Sequence, residues 1–94
     1  MFIEGKLINK VITSSDNDYS LKGMINPTFQ NTGETAVLID GRKVLAGESF
    51  SINAPNVILQ NKISIVFESE ADKANILHVG YVETSVVIKT QDSI

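Results

Sequence analysis

Several residue types that carry protein chemistry are missing from this chain or nearly so. It has no cysteine and no tryptophan, a single histidine, His78, and a single arginine, Arg42. Without cysteine, thiolate catalysis, disulfide bonds and zinc–thiolate sites are excluded. No apolar run approaches the roughly 20 residues of a membrane-spanning helix, so we expect no membrane contact. The first residues include Glu4 and show no long apolar core or small-residue cleavage site, so we expect no signal peptide.

Basic residues are also scarce and dispersed. The net charge is −3, and the eight lysines and arginines are spread along the chain. A surface that follows nucleic-acid phosphates needs clustered positive charge. The sequence therefore excludes nucleic acid as the expected partner.

The residues that are abundant favour β-strands. Isoleucine and valine together number 21, against 11 leucines and alanines, and eight asparagines and six glycines supply turn residues. Side chains branched at Cβ lose rotamer freedom in helices and pack well on a pleated surface. At 94 residues with 43% apolar content, the chain has the size and composition of one globular domain spanning 1–94.

Short apolar segments recur along the chain between turn signals. Ile63, Ile65 and Phe67 alternate with more polar residues, which predicts a half-exposed strand. Pro27 marks a sheet edge or a bulge. We predict strands at 2–13, one or two within 19–30, then at 36–39, 43–45, 50–52, 57–59 and 63–67, and one or two within 76–90 with a break near Gly80 or Glu83. We predict loops at 14–18 and 69–75, the latter with a possible helical turn, and a frayed tail at 91–94.

The segment 28–52 carries the clearest turn signals. Glycine-centred turns at Gly33, Gly41 and Gly47 separate short apolar runs, as in a tight antiparallel meander. Asp40-Gly41 is the strongest signal, because both central residues of a type I′ turn need positive φ. With seven to nine short strands and turns every 8–12 residues, we predict an all-β fold, a compact antiparallel β-sandwich, with a jelly-roll-like form or a small barrel as alternatives.

The side chains that could carry chemistry lack the partners it requires. His78 alternates with Leu77 and Val79 in a predicted strand, and no G-x-S-x-G motif supplies a nucleophile. The run Asp16-Asn17-Asp18 begins like a calcium loop, but the glycine and the distal glutamate of that motif are absent. We therefore predict no catalytic residue, no metal ligand and no cofactor, and expect a protein that is not an enzyme.

An acidic cluster, Glu68, Glu70 and Asp72, follows the predicted strand 63–67. Two carboxylates can hydrolyse glycosides, but no aromatic platform for a sugar lies near them in sequence. We interpret the cluster as a solubilising strand end or a charged protein contact. The three turn glycines open no helix, so they provide no phosphate-binding loop.

The segment 29–50 resembles small all-β structural proteins of tailed bacteriophages and prophages. The residues that carry the resemblance are Phe29, Asn31, Gly33, Val37, Ile39, Gly41, Leu45, Gly47, Glu48, Ser49 and Phe50, with Ala46 at a position where proline is expected. The resemblance implies a head, neck or tail component that assembles into rings or arrays, located in the virion after assembly in the host cytoplasm. It implies no active site.

From the residues and the resemblance together we expect a structural protein of a phage-like particle. Its partners would be further copies of the chain and other structural proteins rather than a small molecule. Residues 2–13 and 76–90 are the candidate strands for contact between copies, by edge pairing or strand exchange. The alternative is a ligand- or carbohydrate-binding β-sandwich, in which Tyr81, His78 and asparagine side chains converge on a concave face.

Overall fold

A computed structural model describes residues 4–84 of the chain, and this part is built from β-strands alone. The predicted all-β class and the expected seven to nine strands are confirmed. The eight strands are β1 (Lys6–Ile12), β2 (Asp16–Ser20), β3 (Ile25–Asn31), β4 (Val37–Ile39), β5 (Arg42–Val44), β6 (Ser49–Ser51), β7 (Lys62–Phe67) and β8 (Leu77–Glu83).

The strands form two four-stranded antiparallel sheets that pack face to face. Sheet A has the order β1-β8-β3-β6, and sheet B has the order β2-β7-β4-β5. The first strand therefore pairs with the eighth, the second with the seventh, the third with the sixth and the fourth with the fifth. This is the strand order of a jelly roll, in which one long folded-back chain wraps into two sheets. The predicted sandwich is confirmed in its jelly-roll-like form.

The core lies between the sheets and follows the period-2 alternation of the strands. On β7 the side chains of Ile63, Ile65 and Phe67 are buried, as their alternation in sequence predicts. Fully burying each such side chain stabilises the fold by about 1.5–3 kcal/mol. The other buried apolar residues are Leu21, Met24, Phe29, Val37, Ile39, Val44, Leu77, Val79 and Tyr81.

The segment 28–52 contains the predicted hairpin but is not a meander. β4 and β5 are joined by Asp40 and Gly41 with φ of 51° and 83°, which confirms the type I′ turn. However, β3 pairs with β6 and β8, and not with β4. The expectation of a meander is wrong, because the chain crosses from sheet A to sheet B after β3 and returns after β5.

The return crossing contains a second confirmed turn. The amide of Glu48 donates to the carbonyl of Leu45 at 2.9 Å, and Gly47 between them has φ of 87°. These are the features of a type II turn, which needs a positive φ at its third residue. The same turn is held against β3, because the amide of Gly47 donates to the carbonyl of Asn31 at 2.8 Å.

Gly33 serves close packing rather than turn geometry. Its φ is not in the positive range, and its amide donates to the carbonyl of Ile76 at 3.1 Å. A Cβ at this position would lie 2.5 Å from the amide nitrogen of Ile76 and 2.7 Å from the carbonyl oxygen of Ala74. The backbone entering β8 therefore leaves no room for a side chain on Gly33.

Three other local predictions have mixed outcomes. Pro27 marks a bulge as expected, since the register of β3 shifts between Ile25 and Thr28 and Asn26 has φ of 50°. The loop predicted at 14–18 is wrong in its second half, because β2 begins at Asp16. The strand predicted at 57–59 is absent, although Leu59 exchanges two backbone hydrogen bonds with the turn at 23–24.

The ends of the predicted first and last strands lie outside the described residues. β1 occupies Lys6–Ile12 of the predicted 2–13. β8 ends at Glu83, one of the two positions where a break was expected. The predictions for 85–90 and for the tail at 91–94 fall on residues that the structure does not describe. The polar stretch at 69–75 is a loop with a turn, as predicted.

Candidate interaction surface

His78 lies on β8 with its side chain exposed on the outer face of sheet A. Its register partners are Val11 on β1 and Gln30 on β3. Neither partner is a carboxylate or a nucleophile, so the sheet does not assemble an acid–base pair around this imidazole.

His78 and Tyr81 lie on opposite faces of β8. They are three residues apart, and successive strand residues alternate between faces. His78 is exposed, whereas Tyr81 is 6% exposed and belongs to the core. The expected convergence of Tyr81, His78 and asparagine side chains on one concave face is therefore wrong.

Asp16 makes a local contact. The Asp16 carboxylate accepts a hydrogen bond from the amide of Asp18 at 2.9 Å, an Asx turn within β2. Across the described residues 4–84, no three carboxylate or imidazole groups come together as metal ligands would.

The predicted cluster of Glu68, Glu70 and Asp72 does not act as one unit. β7 ends at Phe67, so these residues do not share a strand face. Lys43 pairs with Glu68 at 3.1 Å and Lys73 pairs with Glu70 at 3.7 Å. Both pairs are exposed to solvent, where such pairs contribute little to stability.

Two buried polar residues organise the connection between the sheets. The Asn31 amide donates to the carbonyls of Thr35 at 2.8 Å and Val44 at 3.1 Å, and its carbonyl accepts from the amide of Gly33. The hydroxyl of Thr35 donates to the Asn75 carboxamide. Asn31 is fully buried and its amide is fully used, so it holds structure rather than a ligand.

The four edge strands of the sandwich differ in how they are protected. An unprotected edge offers unpaired backbone groups to another chain, and proteins blunt edges by shortness, charge or bulges. β5 and β6 are each three residues long. β2 carries Asp16 and Asp18 and has an irregular register. β1 alone among them runs for seven residues in an unbroken register.

The outer face of β1 is apolar and open to solvent. Leu7 is 72% exposed and Val11 is 55% exposed. Leu7 lies directly opposite Val82 of β8, which is also exposed, and Asn9 lies opposite Gly80. We call the strip formed by Leu7, Asn9, Val11 and Val82 the β1 surface. No strand within the described residues 4–84 pairs with the outer edge of β1, so this surface combines exposed apolar side chains with an edge that is unpaired in that part of the chain.

The inner face of β1 is held by contacts within the same molecule. Ile8 and Ile12 pack against the core, and between them the Lys10 ammonium lies 5.8 Å from the centroid of the Tyr81 ring. The interaction with the Tyr81 hydroxyl raises the pKa of Lys10 above its ordinary value. Burial raises the pKa of Tyr19 on β2, which lies on the same side of the sandwich.

The opposite side of the sandwich is closed by a second cation over a ring. The Arg42 guanidinium on β5 lies 4.9 Å from the centroid of the Phe50 ring on β6. Phe50 in turn stacks on Phe29 with 6.2 Å between ring centroids. Arg42 therefore covers the gap between the sheets at the two shortest edge strands.

An open depression lies beyond the end of β1. It has a volume of about 480 Å³ and is lined by Glu4, Gly5, Lys6 and Glu83. The described residues of its lining carry both signs of charge.

Comparisons with known proteins assign no family. No protein-family model, curated protein or solved structure matches this chain. Residues 4–84 include no helix with the length and hydrophobicity that crossing a membrane requires.

Of the two strands expected to contact other copies, β1 is an edge strand of sheet A, whereas β8 is paired on both sides, with β1 and β3, and offers no edge. The exposed apolar residues on the outer face of β1 were not named in advance, although the sequence carried a signal for them. Leu7 and Val11 lie on one face of the strand, and Ile8 and Ile12 on the other. A strand with one face in solvent normally carries polar residues there. When both faces of an edge strand carry apolar residues, the outward-facing ones indicate a contact with a second partner.

Proposed function

We propose that this protein is a non-enzymatic structural protein of a phage or phage-like particle, a component of its head, neck or tail. It acts through contacts between its own copies and with other structural proteins of the virion. The observation that carries the proposal is the β1 surface, a seven-residue edge strand with exposed apolar side chains. Such an edge in a small domain serves protein contact, because left uncovered it favours uncontrolled association.

The fold agrees with this proposal without deciding it. Double-sheet jelly rolls are found in viral capsid proteins, and also in lectins and cupins. Function must be argued from the site, since one fold hosts many activities. Here the interior is packed with apolar side chains, and His78, Tyr81 and the carboxylates do not converge. Assembly is therefore favoured over a ligand-binding or carbohydrate-binding role.

The segment that resembles phage structural proteins also has a consistent role in the fold. Asn31, Gly33, Gly41 and Gly47 each hold a connection between strands. A rigid scaffold of this kind suits a structural protein, which acts by presenting a fixed surface to its partners.

Light scattering on the full chain tests the assembly function. A monomer has a mass of 10.2 kDa, and we expect a clearly larger mass at micromolar concentration. A second test is the position of the coding sequence in its genome. Portal, capsid or tail genes beside it support the proposal. A monomeric protein encoded among metabolic genes would overturn it.

A further inference from the structure

The outer edge of β1, with which no strand of residues 4–84 pairs, is complementary to itself. We propose that β1 of one copy pairs antiparallel with β1 of a second copy across a two-fold axis at Asn9, which joins the two four-stranded A sheets into one eight-stranded sheet. This inference rests on the proposed function, in which copies of the chain contact one another. A two-fold interface of this kind is closed, so each β1 edge is used once and no open fibre forms.

The alternation of side chains limits the possible registers. A shift by one residue would place the half-buried Ile8 and Ile12 of one copy beside outward-facing residues of the other. Registers that keep the faces aligned and pair at least five residues are centred on Ile8, Asn9 or Lys10.

Charge selects one of these three registers. Centred on Ile8, Lys6 lies directly opposite Lys10 of the second copy, and centred on Lys10, the two Lys10 residues face each other. Like charges directly opposite are destabilising in antiparallel pairs. Centred on Asn9, each lysine lies opposite an isoleucine, and all seven residues of β1 are paired. The Asn9 register is thus the longest and the one without a facing lysine pair.

The same register covers the exposed apolar residues. Leu7, which already lies beside Val82, comes to lie opposite Val11 of the second copy. At the two-fold axis Asn9 faces Asn9, and a carboxamide can both donate to and accept from another carboxamide. In this register the apolar residues of the β1 surface lie opposite apolar residues of the second copy, and the polar Asn9 lies opposite its own counterpart at the two-fold axis.

Lysine at an edge normally opposes strand addition, but Lys10 is held within its own molecule. Its ammonium lies on the Tyr81 ring of the same chain, on the inner face. The described residues leave the backbone edge of β1 unpaired and the side chains of Leu7 and Val11 exposed, and it is these groups that the second copy contacts.

Single cysteines test the register directly, because the chain has none of its own. Residues directly opposite in an antiparallel pair have Cα atoms about 4.5–5.5 Å apart, within the range of a disulfide. Under mild oxidation we expect the Asn9→Cys variant to form a covalent dimer. Ile8→Cys and Lys10→Cys report the two rejected registers, and Ser51→Cys, exposed on the opposite edge of sheet A, reports random collision. Faster linkage of any of these three would overturn the inference.

Charge exchange on the outer face provides a second, non-covalent test. The double variant Leu7→Glu/Val11→Glu places like charges opposite each other at both ends of the interface. We expect it to dimerise roughly tenfold more weakly or worse. The matched variant Leu7→Glu/Val11→Lys places opposite charges there, and its dimerisation should return to within about threefold of the parent. Equal dimerisation by both variants would overturn the inference. Both positions are exposed, and circular dichroism verifies the fold.

The two proposals fail in different ways. Assembly in light scattering without Asn9→Cys linkage, and without any charge effect, removes the β1 pairing but leaves the structural function standing. A chain that is monomeric at every concentration contradicts the homo-oligomeric function as well.

Discussion

At the scale of single residues, the crossing between the sheets depends on Asn31, which has a buried polar side chain, and on Gly33, which has none. Asn31 fills a buried position with a side chain whose amide donates to two backbone carbonyls. Gly33 fills the next bend with no side chain, so that the backbone at Ala74 and Ile76 can approach it. Gly33 was predicted to form a turn, but both residues instead hold contacts with distant parts of the chain.

Replacing Gly33 by alanine should be costly. Its Cβ would lie 2.5 and 2.7 Å from backbone atoms, which cannot move aside without disturbing the start of β8. We expect Gly33→Ala to lower the free energy of unfolding by about 3 kcal/mol, at the upper end of overpacking effects. Urea unfolding followed by circular dichroism measures the change.

Gly80 on β8 provides a matched control. Its added Cβ would meet the side-chain oxygen of Asn9 at 3.1 Å, an atom that can rotate away. Gly80→Ala should therefore cost less than about 1 kcal/mol. Equal costs at the two glycines would show that close backbone approach is not what Gly33 provides.

The stability of the protein should fall in alkaline solution. Burial raises the pKa of Tyr19 above its ordinary 10.0, and Tyr81 raises that of Lys10 above 10.5. A group whose pKa is higher in the folded than in the unfolded protein stabilises the fold at pH values below its unfolded-state pKa. This contribution is lost as the pH rises through the folded-state pKa. Lys10 is exposed and its share is small, so Tyr19 dominates.

Urea midpoints measured between pH 7 and pH 11 check this expectation. We expect little change up to about pH 9 and a decline above about pH 10. The Tyr19→Phe variant should decline less steeply, since it has no phenol to ionise. Identical alkaline slopes in the parent and Tyr19→Phe would contradict the role given to Tyr19.

At the scale of elements, local turns could be predicted and sheet membership could not. The β4–β5 hairpin is encoded by Asp40 and Gly41, whose conformations are set by adjacent atoms. The connections after β3 and after β5 carry similar turn residues, yet they cross between sheets. What sends them across is the tertiary contact of Asn31 with Val44 and of Gly33 with Ile76. Partners 13 and 43 residues away in sequence leave no local pattern.

In the β4–β5 turn, a substitution at Gly41 should lower the stability of the protein, whereas a conservative one at Asp40 should not. Gly41 has φ of 83° with open space around it, so a new side chain there meets only backbone strain. We expect Gly41→Val to cost about 1–2 kcal/mol, because a branched residue rarely adopts positive φ. Asp40→Asn should change stability by less than about 0.5 kcal/mol, since asparagine accepts this region well.

Thermal or urea unfolding of the two variants gives the comparison. A Gly41→Val protein as stable as Asp40→Asn would show that the hairpin does not depend on the type I′ conformation. The hairpin itself would then have to be held by the pairing of Val37 with Val44 and Phe67.

At the scale of the whole molecule, the jelly roll is closed by contacts between distant parts of the chain. Lys6 pairs with Glu83, which is 77 residues later in the sequence. The all-β class and the sandwich could be predicted from composition and turn spacing. The strand order could not, because apolar alternation shows which face of a strand is buried but not which strand lies beside it. Residues 2–13 and 76–90 were both expected to contact other copies, and only the strand order shows that β1 is an edge and β8 is not, since an edge is defined by its neighbours.

This topology should fold slowly for a domain of its size. Closing long loops costs entropy before the distant pairs β1–β8 and β2–β7 can form. We expect refolding in milliseconds to seconds, in the range of all-β sandwiches, with one cooperative transition at equilibrium. Stopped-flow circular dichroism measures the rate, and refolding in microseconds would contradict the long-range pairing.

The position of the two tyrosines has a practical consequence for observing assembly. The chain has no tryptophan, so Tyr19 and Tyr81 supply its intrinsic fluorescence. Both interact with Lys10 on the inner face of β1. The tyrosine emission of the unlabelled protein therefore originates beneath β1, the longest edge strand among the described residues. A change in that emission on dilution would report the arrival or departure of a neighbour at β1 without any added dye.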